Sequence, residues 1–572
     1  MQRKKLPIGI ENYKEFRDKS YYYVDKTLMI RDLLDIGGKV NLFTRPRRFG
    51  KTLMLSMLKT YFEHELMENG NFLDNSHYFE GMKILEAGNA YIRHMGKYPV
   101  VYLTLKSAKQ PDYDLAYTML TRQIAAEYDR HRYVLLGKCL SEPEKQRYQE
   151  ILALVEKPSL YIDALQFLSQ CLKKYHHTNV IVLLDEYDVP LENAFFAGFY
   201  DQMVDFIRSL FESVLKTNDC LEFAVVTGCL RISKESIFTG LNNLNINSIL
   251  TRNFGEYFGF NEAEVEKMLA FYGIRERFTE VREWYGGYLF GETEIYNPWS
   301  LISYVYTAID NSVVFPKPYW SNTSSNSIVR ELVERADDTV RGELEELLAD
   351  RTIEKPIHED ITYDDIYRSQ DNLWNFLFFT GYLKAVSQRF ERSKIYLTLT
   401  IPNSEIKYIY ENMIREWFDM AVRKADFTPL YQALHIQDTA AIEEFINGQL
   451  TFSISYHDAA EQFYHGYLLG ILGGIGGYRI LSNREQGLGR PDIILRPNNP
   501  AHDAFVIEIK QVKQFNLRSE ACDEALKQIT EKNYAFELLS NGYEKVICYG
   551  ICFCDKVCMV KTMPVLKSSY SL

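Results

Sequence analysis

The stretch "NLFTRPRRFGKTLML", residues 41–55, decides how the chain is read. A short apolar run leads into a basic loop, and the loop opens into a second apolar run. Gly50, Lys51 and Thr52 fit the end of the phosphate-loop pattern G-x-x-x-x-G-K-[ST]. The pattern's first glycine, which eases the turn after the strand, is Arg45 here, and Pro46 beside it fixes one φ angle instead. A proline turn is therefore expected to build the loop.

Each residue type in this loop has a chemical reason to be there. Backbone N–H groups at the start of a helix point at anionic oxygens. Lys51 adds a point charge for the β- and γ-phosphates, the Thr52 hydroxyl is a Mg²⁺ ligand, and Arg47 and Arg48 add positive charge. A second motif supports this reading. In "NVIVLLDEYD", residues 179–188, an apolar strand ends in Asp185 and Glu186. Carboxylates at the end of a buried strand are costly without a cation. Asp185 is expected to hold Mg²⁺ through water, and Glu186 to polarise an attacking water. A third strand, "CLEFAVVTGCLRISKESIF" (220–238), carries Thr227 to sense the γ-phosphate and Arg231 to stabilise developing charge. These features predict an ATP and Mg²⁺ site.

Around these motifs, apolar runs such as "PVVYLTL" alternate with helical stretches such as "DYDLAYTMLTRQIAAEYDRH" through about residue 290. That alternation predicts an α/β domain with a parallel sheet covered on both faces. From 291 to 444 charged helices take over, and "DNLWNFLFFTGYLKAV" followed by two strands around "QRFERSK" is compatible with a winged-helix-like middle region. From 445 to 572 a compact α/β unit is expected.

The first part of the chain resembles the bacterial AAA-ATPase-like family. The resemblance rests on "LPIGIENYKEFRDKSYYYVDKT", "LFTRPRRFGKTLMLSMLKTYFE", "LLDEYDVPL", "TGCLRISKESIFTGLNNL", "EWYGGYLFGETEIYNPWSL" and "KPYWSNTSSNSIVREL". It spans roughly the first 330 residues. It implies an ATPase of the additional-strand P-loop type, and that the arginine-proline loop start is a family form of the phosphate loop.

A separate constellation lies in "GLGRPDIILRPNNPAHDAFVIEIKQVK", residues 487–513. Asp492 opens one strand, and Glu508 and Lys510 sit two apart on its hairpin partner, so their side chains share a face. Two carboxylates converging on one hard cation suit Mg²⁺ or Mn²⁺, which lowers the pKa of a bound water and neutralises charge on a phosphodiester. Lys510 is expected to orient that water or to balance the negative charge forming at phosphorus. Glu461 in the preceding helix is a further candidate ligand, and Gln528 in the following helix is expected to hold the lysine or a phosphate. The D-x15-E-x-K spacing, with Pro491 before Asp492, resembles the PD-(D/E)XK nuclease superfamily over about residues 450–560. The resemblance implies a restriction-endonuclease-like fold acting on DNA or RNA.

Composition bounds these expectations. A chain of 572 residues exceeds one ordinary core. Its net charge of −12 leaves no global basic field, so nucleic acid must meet local basic patches. The longest apolar run, "YHGYLLGILGGIGGY", is broken by His465 and six glycines, too short for a bilayer span, and the N-terminus has no signal-peptide core. A cytoplasmic enzyme is expected, with ATP and DNA or RNA as partners, no membrane, and a second copy of the chain as a further candidate partner. Of nine cysteines, Cys548, Cys552, Cys554 and Cys558 are all even-numbered, which predicts one buried strand face. The reading is an ATPase coupled to a metal-dependent nuclease. Its alternative is a nucleotide-dependent switch, or a nucleic-acid-binding protein with a silent nuclease-like domain.

Overall fold

The computed structural model describes residues 3–66, 71–231, 237–238, 243–310, 314–321, 329, 338–359, 369–413, 426–451, 461–482, 491–554 and 557–569. Two compact units make up the chain: Met1–Leu332 with Asp350–Ile409, and Val333–Ala349 with Tyr410–Leu572. The stretch read as a middle region, 291–444, is divided between them.

The first unit is built on five parallel strands, β1 (Val40–Thr44), β2 (Val100–Thr104), β3 (Val180–Asp185), β4 (Leu221–Gly228) and β5 (Leu244–Asn247). Their order is β2-β3-β4-β1-β5. β4 thus lies between the strand that enters the phosphate loop and the strand that ends in Asp185, as expected of an additional-strand P-loop sheet. β1 and β3 are buried along their whole length, which is why they read as continuous apolar runs. The chain reverses direction across the sheet at β1, and the carboxyl ends of β1, β3 and β4 therefore open a crevice above it.

Beyond this sheet come a small hairpin, β6 (Tyr288–Phe290) with β7 (Thr293–Ile295), and a three-stranded antiparallel sheet. The latter holds β8 (Ile353–Ile357), β9 (Lys384–Glu391) and β10 (Lys394–Thr400), in the order β8-β10-β9. The helix Gln370–Phe379 precedes the β9–β10 hairpin, so the expected helix-plus-hairpin is present. β8 was not legible: "IEKPI" carries a proline and two charges. "TSSNS" (323–327) lies outside the described residues.

Glu405 sits at the core of this region with no exposure. Its Oε1 accepts from Ser300 Oγ at 3.0 Å and Trp320 N at 2.9 Å, while its Oε2 is buried without a hydrogen-bond partner among the described residues. Burial pushes the carboxyl up to about 8.

The second unit carries a mixed sheet, β11 (Tyr478–Ser482), β12 (Ile493–Pro497), β13 (Ala504–Gln511), β14 (Lys545–Cys554) and β15 (Val557–Leu566), in sequential order. Only β13 and β14 run parallel. Odd-numbered residues of β13 and β14, such as Ile507 and Tyr549, pack with Leu434, Ile446 and Leu468 of three preceding helices. Even-numbered ones, such as Val506 and Cys548, pack with Ile529 and Leu538 of two following helices. The cysteines divide accordingly. Cys548 and Cys552 face the later helices, but Cys558 packs with the earlier ones. The expectation of one cysteine face is corrected: β15 pairs Cys558 with Phe553, so the hairpin reverses the parity.

Two outcomes follow for stability. Glu405 binds its proton more tightly folded than unfolded, so the stability it contributes is full below about pH 4.5 and is lost as pH rises to about 8. Thermal unfolding midpoints measured from pH 5 to 9 should fall more steeply for the wild type than for Glu405→Gln. Gly550, opposite Glu508, has room for no side chain, since a Cβ would lie 2.5 Å from the Cys522 carbonyl oxygen. Gly550→Ala should destabilise the second unit by about 1–3 kcal/mol, read by urea unfolding.

Candidate functional site

The phosphate loop runs from Arg45 to Gly50, and the helix Lys51–Phe62 follows at once. Gly50 takes φ +83°, a left-handed conformation that glycine adopts without strain. Arg45 is fully buried. Its backbone N–H donates to Gly228 O at 3.0 Å, extending the β1–β4 pairing by one bond. Its Nη1 donates to Thr44 O at 2.8 Å and to Asn247 O at 2.6 Å, tying the loop to β5. The guanidinium lies over the rings of Phe258 and Phe290, at 5.1 and 5.2 Å. Burial pushes it down to about 9, which still leaves it charged at neutral pH.

Lys51 is buried, and its Nζ donates to the carbonyls of Arg45 and Pro46 at 2.8 and 2.9 Å. The ammonium is held on the loop's own oxygens, at the place where phosphate oxygens are expected. Arg47 pairs with Glu192, and Arg48 lies 4.6 Å above the Trp299 ring. Thr52, Asp185 and Thr227 converge: Thr52 Oγ1 donates to Asp185 Oδ2 at 2.7 Å, and Thr227 Oγ1 to Asp185 Oδ1 at 2.7 Å. Thr227 therefore braces the carboxylate. Glu186, at φ +53°, turns its side chain towards the loop, and burial raises its carboxyl despite Lys106 nearby. Arg231 lies elsewhere: it pairs with Glu359 at 3.5 Å and is not among the residues lining the loop cavity.

That cavity has a volume of about 490 Å³, within the range of small-ligand pockets. Residues 47–54 form its floor and Glu186 one wall. Its lining also includes the apolar and aromatic side chains of Tyr22, Tyr23, Val24, Met57, Phe260 and Ile302. Four residues of the segment "YYYVDKT" (21–27), Tyr22, Tyr23, Val24 and Lys26, line the cavity. The oxygen donors Thr52 and Asp185, already 2.7 Å apart, suit a hard divalent cation.

Two residues at this site were missed in the sequence. Lys106, just past β2, reaches Glu11 Oε2 at 2.9 Å, Thr52 Oγ1 at 3.3 Å and Glu186 Oε1 at 3.9 Å. Burial works against its charge, but Glu186, Glu11 and Asp185 outweigh it and hold it above the ordinary lysine range. Its only signal was a cation at the carboxyl end of a strand. Asp188 is buried, and its Oδ2 accepts from Cys229 N at 2.6 Å and Leu230 N at 3.1 Å, anchoring the segment after β4. Burial raises its carboxyl.

In the second unit, β12 pairs with β13 so that Ile493 faces Ile507. One step further along, Asp492 stands opposite Glu508, on the face that also carries Lys510. Asp492 Oδ2 accepts from Ile509 N at 2.8 Å, and its carbonyl oxygen lies 2.9 Å from His465 Nε2. Gln528, on the helix Arg518–Glu531, bridges the pair on β13: Lys510 Nζ donates to its Oε1 at 2.7 Å, and its Nε2 donates to Glu508. The close approach that Gly550 permits brings this helix within reach. Glu461 begins the helix Glu461–Leu472, but its side chain lies outside the described residues. Among the described residues, no group of three or more His, Cys, Asp or Glu side chains could hold a metal ion. Of the carboxylates named as candidate ligands, Asp492 and Glu508 are the two among the described residues. Nor, among the described residues, is any helix long and apolar enough to cross a membrane.

Comparison with known proteins finds likeness in both parts of the chain. The chain is 30% identical over 342 residues to the "Uncharacterized protein in vnfD 5'region" of Azotobacter chroococcum mcd 1. The match covers 58% of this chain and 57% of that protein. Residues 7–238 match the family model described as "Predicted AAA-ATPase", and residues 459–563 that of the PD-(D/E)XK nuclease superfamily, in the order that their two sites stand along the chain.

Proposed function

We propose that the chain binds and hydrolyses Mg²⁺-ATP in its first unit and cleaves DNA or RNA phosphodiesters in its second, with Mg²⁺ or Mn²⁺. The observation that carries the first half is that Lys51, Thr52 and Glu186 line one cavity of nucleotide size, with the buried Asp185 hydrogen-bonded to Thr52. Lys51 exchanges the two loop carbonyls for phosphate oxygens. Thr52 and Asp185 hold the cation, which supplies charge neutralisation at the phosphates. Glu186, poised with a raised pKa, accepts the proton of the attacking water. Thr227 keeps Asp185 oriented, and the apolar side chains of the lining receive the base.

In the second unit, Asp492 and Glu508 hold the cation, which supplies a water of lowered pKa. Lys510, positioned by Gln528, stabilises charge at phosphorus. A second reading, a nucleic-acid-binding domain that does not cut, draws on the pair of carboxylates without a third described ligand.

The tests are separate for the two units. Lys51→Ala should abolish ATP binding followed by fluorescence titration. Glu186→Gln should retain binding but lower kcat by about 10²–10⁴-fold. Wild type turning over no ATP at any Mg²⁺ concentration sinks the hydrolytic reading. For the second unit, circular and linear DNA and RNA are incubated with Mn²⁺, with and without ATP. Cleavage should vanish in Asp492→Ala and Lys510→Ala. Wild type as inert as Asp492→Ala, with nucleic-acid binding retained, leaves the non-cutting reading standing.

A further inference from the structure

We infer that Lys106 is a built-in counter-ion of the metal subsite: its ammonium sits where a divalent cation must enter beside Thr52, so metal binds there only as Lys106 moves away. The inference rests on reading Thr52 and Asp185 as cation ligands.

The argument starts from one hydroxyl. A threonine Oγ has one proton and two lone pairs. Thr52 Oγ1 gives its proton to Asp185 Oδ2 at 2.7 Å and offers a lone pair to Lys106 Nζ at 3.3 Å. A metal ion on that hydroxyl needs a lone pair at about 2.0–2.1 Å. An ammonium and a dication sharing the same oxygen repel strongly in a partly buried site. The surrounding charges fit this role. Glu186 Oε1 at 3.9 Å and Glu11 Oε2 at 2.9 Å both face the ammonium, so the acidic cluster already has a cation in it.

Lys106 can also leave. Its strongest partner, Glu11, is 51% exposed and belongs to the N-terminal segment that lines the same cavity. The floor of that cavity is where phosphate oxygens would arrive with the metal, giving the displaced ammonium a new anion. Exchange of Lys106 for metal would then free Glu186 from its nearest cation and release Glu11 together with the segment around it. Lys106 acts here through Thr52 and Glu186 and is a positioning residue.

The test measures Mn²⁺ affinity of the nucleotide-free full chain by electron paramagnetic resonance. It uses an Asp492→Ala, Glu508→Ala background, so that the second unit's carboxylates do not contribute. Lys106→Met should bind Mn²⁺ about tenfold or more tightly than the parent, and Lys106→Arg should resemble the parent. Adding Thr52→Ala should abolish the gain, which locates it at the loop. Should the methionine variant fail to fold by circular dichroism, Lys106→Gln carries the same expectation. Equal or weaker Mn²⁺ binding without the lysine charge overturns the inference, as does a gain that survives Thr52→Ala. Because no nucleotide is used, a protein that binds no ATP would fail the proposed function while leaving this comparison intact.

Discussion

The guanidinium of Arg45 is the interaction on which the phosphate loop depends. A buried cation is expensive unless it is well partnered. Here two carbonyl hydrogen bonds and two aromatic faces offset the cost, although Nε and Nη2 have no hydrogen-bond partner among the described residues. The arrangement explains how the loop does without its first glycine. That glycine normally allows a tight turn by having no side chain. Arg45 sends its side chain down between β1 and β5 instead, and its backbone continues the pairing with β4. Lys51 then rests on the carbonyls of Arg45 and Pro46, so the position of its ammonium follows from the Arg45 clamp.

The same crevice concentrates negative charge. Asp185, Glu186 and Asp188 end one strand within four residues, and the additional strand β4 meets them with Thr227 and the backbone of residues 229 and 230. Hydrogen bonds to Asp185 and Asp188 fix the positions of their carboxylates. Glu186 lacks that support and has Lys106 instead. Carboxylates adjacent in sequence thereby acquire different environments.

In the second unit the decisive constraint is register. Antiparallel pairing of β12 with β13 sets Asp492 opposite Glu508, and a slip of one residue would send them to opposite faces. Gly550 on the neighbouring strand lets the helix Arg518–Glu531 pack close enough for Gln528 to bond both Glu508 and Lys510. A backbone vacancy on one strand thus serves side chains on another.

The sequence by itself determined the parts governed by local periodicity and motif spacing. β1, β3 and β13 were legible as apolar runs, the loop as Gly50-Lys51-Thr52, and the shared face of Glu508 and Lys510 from the period of two. β8 and β11 were not, because a proline, charges or flanking glycines masked their alternation. Cys558 was assigned to the wrong face because a hairpin can reverse parity between its arms. Only the tertiary structure decided that Arg45 is a buried clamp, that Arg231 pairs with Glu359, and that Lys106 reaches Thr52 and Glu186. Lys106 is 54 residues from Thr52 in the chain and follows β2, which β3 and β4 separate from β1, so their contact is made by side chains beyond the strand ends. Spacing along a chain records which residues share a strand or helix face. Which ends of different strands stand side by side is settled by packing between distant segments, and the chemistry of a charged group depends on what that packing puts next to it.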